Sequence, residues 1–81
     1  MDGLTETLRS IIAEIAEIDD PSAITEHANL YKDIGVDSMQ ALEIVLELEK
    51  RFGVAIPEAK LKEIRTLADA VRVAREAGAP G

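Results

Sequence analysis

The first segment of the chain carries its apolar residues on one helical face. They recur at the spacing of a single buried stripe: Leu4, Leu8, Ile11, Ile12, Ile15 and Ile18. Proline cannot continue a helical hydrogen-bond ladder. The pattern therefore predicts an amphipathic helix that ends at Asp19-Asp20-Pro21.

Residues 19–37 show no sustained period. A connection of this length is uncommon inside a compact domain and is often functional. Its apolar residues are too many for a solvated linker: Ile24, Leu30, Tyr31, Ile34 and Val36. We expect a long loop, with at most one short helical turn, folded over the helices.

A second helix is predicted from Asp37 or Ser38 to Phe52, with Gly53 as a left-handed C-cap. Its apolar residues form two stripes, of which the first comprises Ala41, Ile44, Val45, Leu48 and Phe52. The second stripe comprises Met39, Leu42 and Leu46, flanked by Glu43, Glu47 and Glu49. A helix in a small domain buries one face, so the second stripe is either covered by a neighbouring segment or exposed for docking.

The remaining chain predicts two further helices. Residues 54–57 form an extended entry, and residues 58–64 form a short helix that Pro57 starts. Thr66 caps the last helix, and Gly78 and Pro80 end it. Its inward residues are Leu67, Ala70, Val71 and Ala74.

The predicted fold class is all-α: a small bundle of three main helices plus one short helix, with a long loop between the first two main helices. We expect one domain over residues 1–81, ordered from about 4 to 77.

Composition and charge exclude several functions. The chain has 81 residues, and 9 basic against 16 acidic residues give a net charge of −7, which disfavours nucleic acids and anionic membranes. Without cysteine and with one histidine, neither a metal site nor a Ser/His/Asp relay is expected. No segment predicts a membrane span or a secretion signal, so we expect a cytoplasmic protein. Residues 1–49 carry −10 and residues 50–81 carry +3, so partners of the first half should be basic.

The junction of the long loop and the second helix is the candidate site. Asp37 and Gln40 have the spacing of a capping box, and in the simplest interpretation Ser38 belongs only to that cap. In the other interpretation Asp37 caps, and Ser38 presents a free hydroxyl at a helix N-terminus, where a phosphate is favoured. Nothing in the chain would activate Ser38, because His27 is the only imidazole. A separate enzyme would have to modify it.

The chain resembles the acyl carrier proteins over residues 4 to about 77. The resemblance rests on the motif Asp33-Ile34-Gly35-Val36-Asp37-Ser38-Met39 and on residues 42–45, 48–49, 52–57 and 64–71. It implies that Ser38 receives 4′-phosphopantetheine from coenzyme A through a separate phosphopantetheinyl transferase, whose engagement with the carrier involves Asp37. The arm's thiol would then carry acyl groups as thioesters, so the chain itself would not be an enzyme.

The resemblance also implies the partners. The second helix would be the recognition helix for an acyltransferase, a ketosynthase or other synthase enzymes of fatty-acid or polyketide synthesis, with contact residues Met39, Leu42, Glu43, Leu46, Glu47 and Glu49. The carrier would be a monomer. Met39 stands where leucine is commoner in fatty-acid carriers, and Lys50-Arg51 is basic where many relatives are acidic. An aminoacyl or peptidyl carrier, and an unmodified helical interaction module, are the alternatives.

Overall fold

Four α-helices and one 3-10 turn make up the secondary structure of the computed structural model, which describes residues 3–80. The helices are α1 (Gly3–Ile15), α2 (Ser38–Phe52), α3 (Glu58–Leu61) and α4 (Leu67–Glu76), and the 3-10 turn is Pro21–Ala23. No helix in that described range is long and apolar enough to cross a membrane. The expected all-α bundle, with three main helices and a short one, is confirmed.

The core forms where α1 packs against both α2 and α4. Each helix contributes the face that the apolar pattern predicts, including Leu8 from α1, Leu48 from α2 and Leu67 from α4, all at most 1% exposed. Val73 is also buried, although it was not among the predicted inward residues of α4. Aliphatic side chains thus supply nearly all of the buried surface, as a composition with 2% aromatic residues requires.

The predicted end of α1 was wrong. The helix ends at Ile15, because Glu17 adopts a left-handed conformation with φ of 59°. The Ile18 N–H then bonds the Ala13 carbonyl at 2.8 Å, which satisfies a carbonyl at the helix end. This turn still places Ile18 against the core, so its apolar contact is kept without a helical backbone.

The long loop between α1 and α2 is part of the core. Ile24, Leu30 and Val36 are buried as expected, but Tyr31 is 41% exposed, contrary to prediction. Hydrogen bonds tie the loop to the α3–α4 connection: Leu30 N–H donates to the Arg65 carbonyl at 2.8 Å. The Asn29 side chain accepts from the N–H groups of Tyr31 and Lys32, both at 2.9 Å. The loop's backbone is therefore fixed from within and from across the bundle.

The helix α3 is shorter than predicted, ending at Leu61 instead of residue 64. Glu63 and Ile64 donate to carbonyls three residues back, in tight turns that leave the α-helical pattern. Thr66 then begins α4 with a full capping box, in which its hydroxyl accepts from Asp69 N–H at 3.1 Å. The predicted cap of α4 and its stop at Gly78, which has φ of 106°, are confirmed.

The two stripes of α2 should differ in their contribution to stability. We expect Leu48→Ala to lower the free energy of unfolding by about 2–5 kcal/mol, because it leaves a cavity in the core. Leu46 is 55% exposed, so Leu46→Ala should cost less than about 1 kcal/mol. Urea unfolding of both variants measures this, and equal losses would refute the separation of the two faces.

Candidate functional site

The start of α2 is held by a reciprocal cap. The Asp37 carboxylate accepts the Gln40 backbone N–H at 2.8 Å, and the Gln40 side chain accepts the Asp37 N–H at 3.2 Å. The Gln40 amide also donates to the Ile15 carbonyl at 3.4 Å. This last bond joins the beginning of α2 to the end of α1. The predicted capping box is confirmed, and it anchors the helix to the bundle.

Ser38 lies at the first position of α2 with its side chain unused. It is exposed, and its hydroxyl has no hydrogen-bond partner among residues 3–80. The cap belongs to Asp37, so the hydroxyl has no local structural role. The structure thus assigns the cap to Asp37 and leaves the Ser38 hydroxyl exposed at a helix N-terminus, where backbone N–H groups favour an anion.

The second stripe of α2 is a solvent-facing apolar surface. Met39 is 68% exposed, Leu42 46% and Leu46 55%. Among the described residues, these are the three most exposed large apolar side chains. The alternative that a neighbouring segment covers the stripe is wrong. We call these three residues the docking face.

The carboxylates flanking the docking face are not equivalent. The Glu43 side chain is exposed and makes no ion pair or hydrogen bond within residues 3–80. Glu47 accepts a 2.9 Å bond from Arg51, and this bond lowers the pKa of the Glu47 carboxyl. Glu49 accepts the Ile56 N–H at 2.7 Å and so holds the connection between α2 and α3. Glu43 is therefore the freest of the three to meet a partner.

An apolar cleft of about 280 Å³ opens beside Ser38. Its lining comes from the long loop, α2, α3, the connection after α3 and α4: Leu30, Tyr31, Val36, Ser38, Ala41, Leu42, Ile44, Val45, Leu48, Leu61, Lys62, Ile64 and Ala70. An apolar cavity of about 150 Å³ is enough to bind benzene. The cleft therefore has room for a short hydrocarbon chain.

Sequence reasoning missed this cleft. Its lining residues come from separate elements of the chain, and apart from Ser38 and Leu42 none of them was predicted to belong to a site. Periodicity within one element carries no signal for a space between elements. Tyr31, which was expected to be buried, lines the cleft and is 41% exposed.

A model of a known family matches most of the chain. Residues 6–74 match the family model described as a phosphopantetheine attachment site. The chain belongs to this family. Its prosthetic group is 4′-phosphopantetheine, and the structure fits that group, because Ser38 offers an exposed, unbonded hydroxyl at a helix N-terminus next to an apolar cleft.

Individual relatives agree with the family model. The chain is 33% identical over 73 residues to an acyl carrier protein of Brachyspira hyodysenteriae, covering 90% of this chain and 94% of the relative. It is 40% identical over 62 residues to polyketide-8 synthase acyl carrier protein 2 of Streptomyces avermitilis, covering 76% and 70%. A solved structure from Mycobacterium tuberculosis, assigned as an acyl carrier protein, superposes with a TM-score of 0.84 at 27% identity, covering 91% and 97%. The resemblance drawn from the sequence is confirmed.

Substitution can show that Asp37, and not Ser38, stabilises the start of α2. Asp37→Ala removes the side chain that accepts the Gln40 N–H and should cost about 0.5–2 kcal/mol of unfolding free energy. Ser38→Ala removes no hydrogen bond and should change stability by no more than about 0.5 kcal/mol. Thermal and urea unfolding of the unmodified variants measure both. A Ser38→Ala loss as large as that of Asp37→Ala would make Ser38 a structural residue.

Proposed function

We propose that this chain is an acyl carrier protein whose attachment residue is Ser38. The observation that carries the proposal is the free hydroxyl of Ser38 at the capped start of α2, in a chain that belongs to the phosphopantetheine-attachment family. Relatives named as acyl and polyketide carriers support acyl cargo over the aminoacyl or peptidyl alternative. An unmodified interaction module would leave the match to the phosphopantetheine-attachment family unexplained.

The attachment step needs an outside enzyme. The Ser38 oxygen would form a bond to the phosphorus nearer the pantetheine in coenzyme A, as the pyrophosphate bond breaks and adenosine 3′,5′-bisphosphate leaves. The hydroxyl proton would pass to a base of the transferase, because His27 lies on an exposed part of the long loop and no other imidazole exists in the chain. The chain's own contribution is to hold the oxygen in solvent at a fixed position. When bound, the arm supplies a thiol that carries acyl groups as thioesters.

Asp37 would assist recognition from its place in the cap. Its carboxylate is exposed and adjacent to Ser38, and it stays oriented because it accepts the Gln40 N–H. We propose that the transferase engages Asp37 at this position. The fixed cap would present the acid and the hydroxyl together on one rigid turn.

We propose that synthase partners and the transferase bind the docking face and its flanking acids. An exposed apolar stripe edged with carboxylates suits short-lived binding to a basic surface. Glu43 and Glu47 are placed for this contact. One carboxylate oxygen of Glu49 already accepts the Ile56 N–H, so only its other oxygen would be available to a partner. The carrier would act as a monomer in the cytoplasm, where each enzyme meets it in turn, and tethering would raise the local concentration of its cargo.

Modification at Ser38 has a direct test. Incubation of the folded protein with coenzyme A and a promiscuous phosphopantetheinyl transferase should add the mass of one phosphopantetheinyl group. Ser38→Ala should remain unmodified, while Ser22→Ala, which changes an exposed serine in the 3-10 turn, should be modified normally. Intact-mass spectrometry reads all three. A wild-type protein that stays unmodified would overturn the carrier proposal.

The docking face can be tested through the same enzyme. Glu43→Lys should lower kcat/KM for modification by roughly tenfold, because it replaces an attraction by a repulsion at the edge of the contact. Glu26→Lys makes the same change of charge at an exposed residue of the long loop and serves as the matched control. Added salt should shrink the difference. Equal losses for the two variants would show that net charge, and not this face, governs recognition.

A further inference from the structure

A groove lined by three cations adjoins the cleft beside Ser38. The groove has a volume of about 410 Å³ and is lined by Asn29, Tyr31, Lys32, Leu61, Lys62, Ile64 and Arg65. Tyr31, Leu61, Lys62 and Ile64 line both spaces. The two spaces are therefore neighbours, with Ser38 lining only the cleft and Lys32 and Arg65 lining only the second space. We call the second space the cationic groove.

The side chains of the three cations are unpaired. Lys32, Lys62 and Arg65 form no ion pair or side-chain hydrogen bond within residues 3–80. Of the other cations, Arg9, Arg51, Lys60 and Arg72 have acidic partners, whereas Lys50 has no ion-pair partner within residues 3–80. In a chain with a net charge of −7, acids are abundant, so three unpaired cations at one groove are an uncommon arrangement.

Three acids close in sequence to the cations already have hydrogen-bond partners. The Asp33 carboxylate accepts the Asn29 N–H at 2.8 Å. Asp69 accepts the Arg65 N–H at 3.1 Å as part of the α4 cap. Glu63 bonds Arg72 at 3.1 Å. These bonds hold the carboxylates in fixed roles and leave the three cations to meet an anion from outside.

The backbones that carry the cations are held in place. Lys32 N–H donates to the Asn29 side chain, and the Arg65 carbonyl accepts from Leu30 N–H at 2.8 Å. Lys62 is the C-cap residue of α3. Only the side chains would need to be ordered when an anion binds, which lowers the cost of binding.

We propose that the cleft and the cationic groove together bind an acyl chain that ends in a carboxylate. Lys62 is the one charged residue in the lining of the cleft. A carboxylate left among the other lining residues would be desolvated and unpaired, which is strongly unfavourable. A chain that enters beside Ser38 can bury its methylene groups in the cleft and place its distal carboxylate at Lys62, Lys32 and Arg65. This inference rests on the proposed function, since the cargo reaches the cleft from an arm on Ser38.

The test compares two cargoes that differ only at the far end. The transferase is supplied with octanoyl-coenzyme A or with octanedioyl-coenzyme A, and loading is confirmed by intact mass. We expect the octanedioyl form to melt about 2–8 °C above the octanoyl form at low ionic strength. The difference should shrink in molar salt, because the contact is electrostatic and partly exposed.

Variants assign the effect to the groove. Lys62→Gln should remove most of the difference in Tm between the two cargoes, whereas Lys50→Gln, at an exposed residue outside both spaces, should leave it unchanged. The Tm of each unloaded variant shows whether the fold is intact. If Lys62→Gln unfolds, Lys32→Gln and Arg65→Gln serve in its place.

The outcomes separate the two proposals. Loading without a difference between the cargoes, or a difference that all groove variants keep, would overturn this inference and leave the carrier function standing. Failure to load either cargo, in a protein that also stays unmodified with coenzyme A itself, would overturn both. A salt-sensitive difference that Lys62→Gln abolishes and Lys50→Gln keeps would establish the site.

Discussion

The reciprocal cap between Asp37 and Gln40 is the interaction on which the site depends. A helix N-terminus has backbone N–H groups without partners, and some side chain must satisfy them. Here Asp37 does so, and Gln40 returns the bond while also reaching the Ile15 carbonyl. If the serine were the cap, its oxygen would be occupied. Because the acid before it takes that role, the Ser38 oxygen is held in a rigid place and left free.

The long loop determines what surrounds that oxygen. Its backbone bonds to the α3–α4 connection, and three of its aliphatic side chains are buried, so it forms a wall instead of a mobile linker. That wall, together with α2 and α3, borders the apolar cleft next to Ser38. The loop also brings Tyr31 and Lys32 to the cationic groove, where Lys62 and Arg65, which follow α3, add two more cations.

Charge is distributed unevenly over the surface of the molecule. The acids Glu43, Glu47 and Glu49 of α2 flank the exposed apolar stripe, which is the surface that we propose for partners of opposite charge. The cations Lys32, Lys62 and Arg65 line the cationic groove, which shares four lining residues with the cleft beside Ser38. Leu42 belongs both to the docking face and to the cleft lining, so a partner on that face would lie next to the cleft.

The helices, the cap and the free serine could be predicted from the sequence, because each depends on neighbours a few residues away. The helices follow from the repeat of apolar positions and from a glycine after the last turn. The cap, and with it the free serine, follows from an acid three residues before a glutamine. The early end of α1 could not be predicted, since a glutamate took the left-handed position that glycine usually occupies. The cleft, the exposure of Tyr31 and the grouping of Lys32, Lys62 and Arg65 were decided only by tertiary structure. These features arise where segments distant along the chain pack together, and no local pattern records which distant residues will meet.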